Sequence, residues 1–134
     1  MPKERRVLDL QMQMFFDPSE QKEPMVAVRN YFCALDAETD EILRVSNNSD
    51  PAGGLYGVQS TQVRLLFEIP VSEITVWMWG DSTSQTMVPV EIEDGCYFLT
   101  LDDHSAHYRV DVFFEPYDGI QYDATYVFDV EVPK

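Results

Sequence analysis

Tyrosine and aspartate interleave in the segment Glu115-Pro116-Tyr117-Asp118-Gly119-Ile120-Gln121-Tyr122-Asp123, which combines rigid aromatic contact area with hydrogen-bond acceptors. In a loop, Tyr117, Asp118, Tyr122 and Asp123 would suit a protein or sugar partner. The plainer reading is a hairpin turn in which Gly119 supplies a positive φ and the tyrosines pack on the sheet ends. The run from Glu73 to Gly80 is apolar on both faces, because Ile74, Val76 and Met78 alternate with Trp77 and Trp79. One of those faces needs a cover. The residues before 60 are the expected cover, since Leu10, Met12 and Met14 there need burial; the alternative is an exposed platform for stacking on sugar rings or on another subunit.

Metal chemistry finds less support. Asp36, Glu38 and Asp40 alternate as the opening of a calcium loop does, but Glu41 stands where that loop needs glycine, and no bidentate glutamate follows at the required spacing. His104 and His107, beside Asp102 and Asp103, offer only two imidazoles, so an exposed polar corner is expected there. There is no nucleophile elbow, no phosphate-cradling glycine loop and no His-Glu-x-x-His. With 24 acids in the chain, close carboxylate pairs arise by chance and argue for nothing. No catalytic residue, metal or cofactor is assigned, and a non-enzymatic protein is expected.

The charge says more about partners. The formal net charge is -15 over 134 residues, and from Leu65 onward 14 acids face only Arg109 and Lys134. A field of that sign repels phosphate backbones, so nucleic acid is excluded as an ordinary partner, and a basic protein is the complementary one. The bland alternative is that the acids keep a β protein soluble and guard its edges. No apolar run reaches membrane-span or signal-peptide length, which favours a cytoplasmic protein if Met1 is the native start. Cys33 and Cys96 both sit among apolar residues and are expected to be buried free thiols.

What must position these groups is a set of strands. Period-2 alternation dominates, and nine strands are expected: 7–16, 25–35, 41–45, 61–69, 73–80, 86–93, 96–101, 107–115 and 124–132. The second and third should form a hairpin over the acidic loop 36–40. Residues 46–59 read as a surface loop, on Asn47-Asn48, Asp50-Pro51 and Gly53-Gly54. The chain is expected to be one domain, 1–134, with residues 1–60 packing on a core of residues 61–132.

Residues 61–132 resemble strands B to G of an immunoglobulin-like sandwich. The resemblance rests on the corner between Cys96-Tyr97-Phe98-Leu99-Thr100-Leu101 and Ser105-Ala106-His107-Tyr108-Arg109-Val110, where Tyr108 stands two residues before the buried strand-F position. Val110 replaces the family's second cysteine, and His104 stands where an aspartate is usual. The resemblance implies an antiparallel all-β sandwich, with Tyr108, Val110, Val112 and Phe114 inward opposite Tyr126, Phe128, Val130 and Val132, and Tyr108 bonded back to the backbone. It implies little about function.

Together these readings lead to an expected non-catalytic interaction domain of immunity, inhibitor or counter-defence type. It would dock a basic protein through the acidic face bearing Asp111, Asp129 and Glu131 and through the Tyr/Asp segment. Two other readings are a carbohydrate-binding or adhesin module stacking sugars on Trp77 and Trp79, with Tyr117 and Tyr122, and a structural virion or surface subunit.

Overall fold

Along residues 106–114, Tyr108, Val110, Val112 and Phe114 are buried while His107, Asp111 and Phe113 reach solvent, the mark of a strand with one covered face. The computed structural model describes residues 6–16, 25–47, 54–57 (backbone only), 62–80, 84–102 and 104–131. Among these, every helical or extended element is a strand, so no helix is long and apolar enough to cross a membrane. Two sheets pack face to face as a sandwich.

The smaller sheet runs β2 (Met25–Val26), β1 (Gln13–Phe16), β6 (Gln62–Leu66), β10 (Cys96–Thr100) and β9 (Val90–Glu93), with every neighbouring pair antiparallel. The larger runs β4 (Ile42–Asn47), β3 (Val28–Asp36), β12 (Ile120–Glu131), β11 (Ala106–Phe114), β7 (Val71–Trp79) and β8 (Thr86–Val88), again antiparallel. One further strand, β5 (Gly54–Gly57), lies parallel to the end of β12, opposite Phe128 to Glu131.

The described strands number twelve where nine were expected, and the differences have local causes. The 86–93 run divides at Pro89, which has no N–H to give to a ladder; β8 stays in the larger sheet and β9 crosses to the smaller. The 25–35 run also divides between the sheets: Ala27 continues the β1–β2 register by donating its N–H to the Met12 carbonyl at 3.2 Å, and from Val28 the chain joins the larger sheet. β5 falls inside the stretch read as irregular, and glycines at both of its ends hid it. β12 begins at Ile120 rather than 124, because Asp118 and Gly119 both adopt positive φ (53° and 77°). Tyr117 and Ile120 exchange both main-chain hydrogen bonds across that pair, at 2.9 and 3.0 Å, which closes a two-residue hairpin. Asp94-Gly95 repeats the device between β9 and β10 (φ 51° and 77°). The β3–β4 hairpin over residues 36–40 forms as expected.

One cluster of buried side chains draws on residues from Leu10 to Val130, and its largest members are Tyr108, Tyr122, Tyr126, Phe32, Phe114 and Phe128. The N-terminal strands do not form a layer over the later ones. They extend both sheets at their edges and so bury Met12, Met14 and Phe16 between the sheets. Each buried tyrosine brings a hydroxyl that needs a partner. Tyr108 accepts the Asp102 N–H at 3.0 Å and Tyr122 accepts the Leu8 N–H at 3.0 Å, while Tyr126 donates to the Leu10 carbonyl. Burial pushes the Tyr126 and Tyr108 hydroxyls up from their ordinary pKa, so both stay protonated at neutral pH.

Both cysteines are free. Cys33 lies on the outward parity of β3 and Cys96 on that of β10, so they point to opposite surfaces of the sandwich and cannot bridge.

Candidate functional site

The parity that buries Tyr108 to Phe114 turns His107, Arg109, Asp111 and Phe113 outward, and β12 likewise turns out Asp123, Thr125, Asp129 and Glu131. Register then sets the rows across this outer face of the larger sheet. Trp79, His107 and Asp129 form one row; Trp77, Arg109 and Val127 the next; Thr75, Asp111, Thr125 and Tyr31 a third; and Glu73, Phe113, Asp123 and Cys33 a fourth. Asp111, Asp123, Asp129 and Glu131 thus share one face. Tyr117, 47% exposed, and Asp118 occupy the hairpin at the end of the same two strands, beyond Phe113.

Tyr122 departs from expectation. It is fully buried between the sheets, because the early start of β12 gives it inward parity, and it cannot touch a partner. The cover expected over Trp77 and Trp79 also differs. Among the described residues, what lies over these rings comes from the neighbouring strand. His107 stacks on Trp79 at 5.4 Å, and the Arg109 guanidinium sits 5.9 Å from the centre of Trp77. With the indole faces engaged this way and each ring only partly exposed, they make a poor sugar platform.

The charged groups of this face are knitted sideways. His107 Nδ1 lies 2.7 Å from Asp129 Oδ1, beside a shallow hollow of about 280 Å³ lined by Gly80, Ser105, His107, Asp129 and Glu131. Arg109 Nε is 3.4 Å from Asp111 Oδ2, near enough for ionic attraction but not aligned as a hydrogen bond. Asp111 Oδ1 accepts the Thr125 hydroxyl at 2.9 Å. A second hollow, of about 240 Å³, is lined by Tyr31, Asp111, Phe113, Asp123 and Thr125 together with backbone. Burial pushes the Asp123 carboxyl up from its ordinary pKa, and burial, with Cys33 and Asp123 adding to it, raises Tyr31.

The sign of the Asp123 shift makes a prediction. A carboxyl whose pKa is higher folded than unfolded costs stability when ionised, and the cost disappears as pH falls below the ordinary value of 3.8. Asp123→Asn is therefore expected to raise the melting temperature at pH 7, with a gain under about 1 kcal/mol, as is usual for a partly exposed site. Near pH 3 the gain should vanish. Thermal unfolding at the two pH values checks this, and an Asn variant less stable than the parent at pH 7 would contradict it.

Elsewhere the acidic side chains serve the backbone. Asp36 Oδ1 accepts the Glu38 and Thr39 N–H groups at 2.8 and 3.1 Å, so the residue that would open a calcium loop closes its own turn. His104 lies 3.5 Å from Asp102 while His107 pairs with Asp129, so the two imidazoles serve different carboxylates; Asp103 lies outside the described residues. No group of three or more metal-capable side chains gathers among the described residues. Asp9 pairs with Arg29 at 2.8 Å, and the Gln11 amide, with help from Arg29, holds its carboxyl below the ordinary value against the opposing effect of burial.

Phe113 and Tyr31 were missed as surface residues. Alternation within β11 carries the signal for Phe113, since its neighbours Val112 and Phe114 are both expected to face inward. Nothing in the sequence aligned Tyr31 with Thr125, because that register follows from the pairing of β3 with β12, which runs without interruption from Ile120 opposite Asp36 to Thr125 opposite Tyr31. Comparison of the chain with protein-family models, with curated proteins and with solved structures finds no match in any of the three.

Proposed function

We propose that this chain is an immunoglobulin-like, non-catalytic interaction domain that docks a basic protein through the outer face of its larger sheet. The observation that carries the docking reading is the convergence of Asp111, Asp123, Asp129 and Glu131 on that face, with Tyr117 and Asp118 at its end. Among the described residues, only Arg109 and His107 stand between them as basic side chains. Such a face steers a positively charged partner and repels an acidic one.

Two features support the immunoglobulin-like part. The order β1-β6-β10-β9 opposite β12-β11-β7-β8 corresponds to strands A-B-E-D opposite G-F-C-C′. The bond from the Asp102 amide to the Tyr108 hydroxyl is the corner contact of that fold. On this correspondence β3–β4 and β5 are insertions between A and B that lengthen the sheet beside strand G.

The test compares two triple variants of equal charge. One carries Asp111→Lys, Asp129→Lys and Glu131→Lys on the proposed face; the other carries Glu91→Lys, Glu93→Lys and Asp94→Lys at the edge of the smaller sheet. Calorimetric titration with a nona-lysine peptide at low salt should show a loss of about tenfold or more for the first and a clearly smaller one for the second, since exposed charges act within about a Debye length. Equal losses, or no binding by the parent chain, would sink the docking reading.

A further inference from the structure

Three of the chain's arginines share one habit. Arg29 lies 4.2 Å from the centre of Phe32 and pairs with Asp9 at 2.8 Å; Arg109 lies over Trp77 and pairs with Asp111; Arg64 lies 4.8 Å from the centre of Phe15. In two of these cases a guanidinium is held between an aromatic ring and a carboxylate. Phe113 offers the same surroundings without the cation. It is 50% exposed, its cross-strand partners are Glu73 and Asp123, and Asp111 stands two residues before it on the same face. Among the described residues no arginine lies over it, and Asp123 has no ion-pair partner.

We propose that the hollow bounded by Phe113, Tyr31, Asp111 and Asp123 receives an arginine side chain of the basic partner; this rests on the docking reading above and specifies its contact. Three arguments select this occupant. The ring face and the carboxylates attract a cation together, and only a planar guanidinium stacks on the one while offering paired N–H donors to the other. The local charge complements it, because Glu73, Asp111 and Asp123 outnumber Arg109. At about 240 Å³ the hollow lies below the usual range for small-molecule sites, roughly 300–1,000 Å³, and suits one side chain of a larger partner.

The experiment titrates the whole chain with nona-arginine and nona-lysine peptides, at about 50 mM and about 150 mM salt so that bulk screening is separated from contact. The parent should bind the arginine peptide about tenfold more tightly, the difference expected of a stacked, partly desolvated guanidinium. Phe113→Ala should abolish most of that preference and leave nona-lysine binding nearly unchanged, whereas Asp123→Asn, which removes one of the face's own charges, should weaken both peptides and the arginine peptide by the larger factor. Circular dichroism verifies that both variants fold, and Asp123→Asn is expected to be at least as stable as the parent. Equal affinity for the two peptides, or an arginine preference that survives Phe113→Ala, overturns the arginine site while leaving the acidic docking face standing. Absence of binding to either peptide overturns both.

Discussion

Phe128→Ala is expected to cost about 3–5 kcal/mol, the range for removing a fully buried aromatic side chain. Phe128 is wholly enclosed and lies parallel to the Tyr108 ring, with centroids 5.0 Å apart and planes within 8°. The two side chains are cross-strand partners on β12 and β11 and fill the interior beside the corner where Tyr108 holds the Asp102 amide. Truncation opens a cavity and also frees Tyr108 to leave that bond. For a domain of this length the melting temperature should fall by roughly 10–20 °C. Phe128→Leu, which keeps most of the volume, should cost less than half as much. Thermal unfolding followed by circular dichroism measures both, and a fall of only a degree or two for the alanine variant would show that the two sheets do not close on this residue.

The second large effect concerns the two hydroxyls that tie the N-terminal segment to β12. Tyr122→Phe combined with Tyr126→Phe removes the partners of the Leu8 amide and the Leu10 carbonyl while leaving both rings in the core. A buried group left without its hydrogen bond costs about 1–3 kcal/mol, so the pair should lower stability by roughly 2–5 kcal/mol. The two losses should not simply add, because both act on the same three-residue stretch. The effect has a local signature that a general loosening lacks. Amide exchange should accelerate first from Leu8 to Met14 and only later in β11 and β12, as expected when one segment opens ahead of the whole. Uniform acceleration across the chain would mean that the segment is not latched by these tyrosines.

How much of this could be read from the sequence follows from which interactions are local. The inward and outward parity of β11 was legible, because alternation is a property of neighbouring residues; Tyr108, Val110, Val112 and Phe114 fell inward and Asp111 outward. The same rule failed at Tyr122 only because the start of β12 was set four residues late. The Asp118-Gly119 pair carries the signal of a two-residue turn, and taking the segment as a long loop turned a core tyrosine into a surface one. Sheet membership was less legible. Period 2 states that residues 86–93 are extended but not that Pro89 passes the chain from one sheet to the other. The parallel match of β5 to the end of β12 depends on residues more than 70 positions apart. Within the candidate face, Asp111, Asp129 and Glu131 follow from parity and Asp123 from the Tyr/Asp segment, whereas Tyr31 stands beside Thr125 through the pairing of β3 with β12, a match between residues more than 80 positions apart that no pattern announces.

β12 sits at the centre of the larger sheet, with β11 on one side and β3, then β5, on the other. Its tyrosines hold residues 114 and 116 positions earlier. During synthesis from the N-terminus, the stripe of Leu10, Met12, Met14 and Phe16 emerges from the ribosome with nothing to close on. β3 and β4 likewise pair as a hairpin that lacks its neighbour until residues 120–127 have been made. Topologies with such distant pairings fold slowly and leave apolar surface and open strand edges exposed while they wait. The nascent chain is therefore the form most in need of chaperone protection, and a fragment ending before residue 120 should aggregate rather than fold.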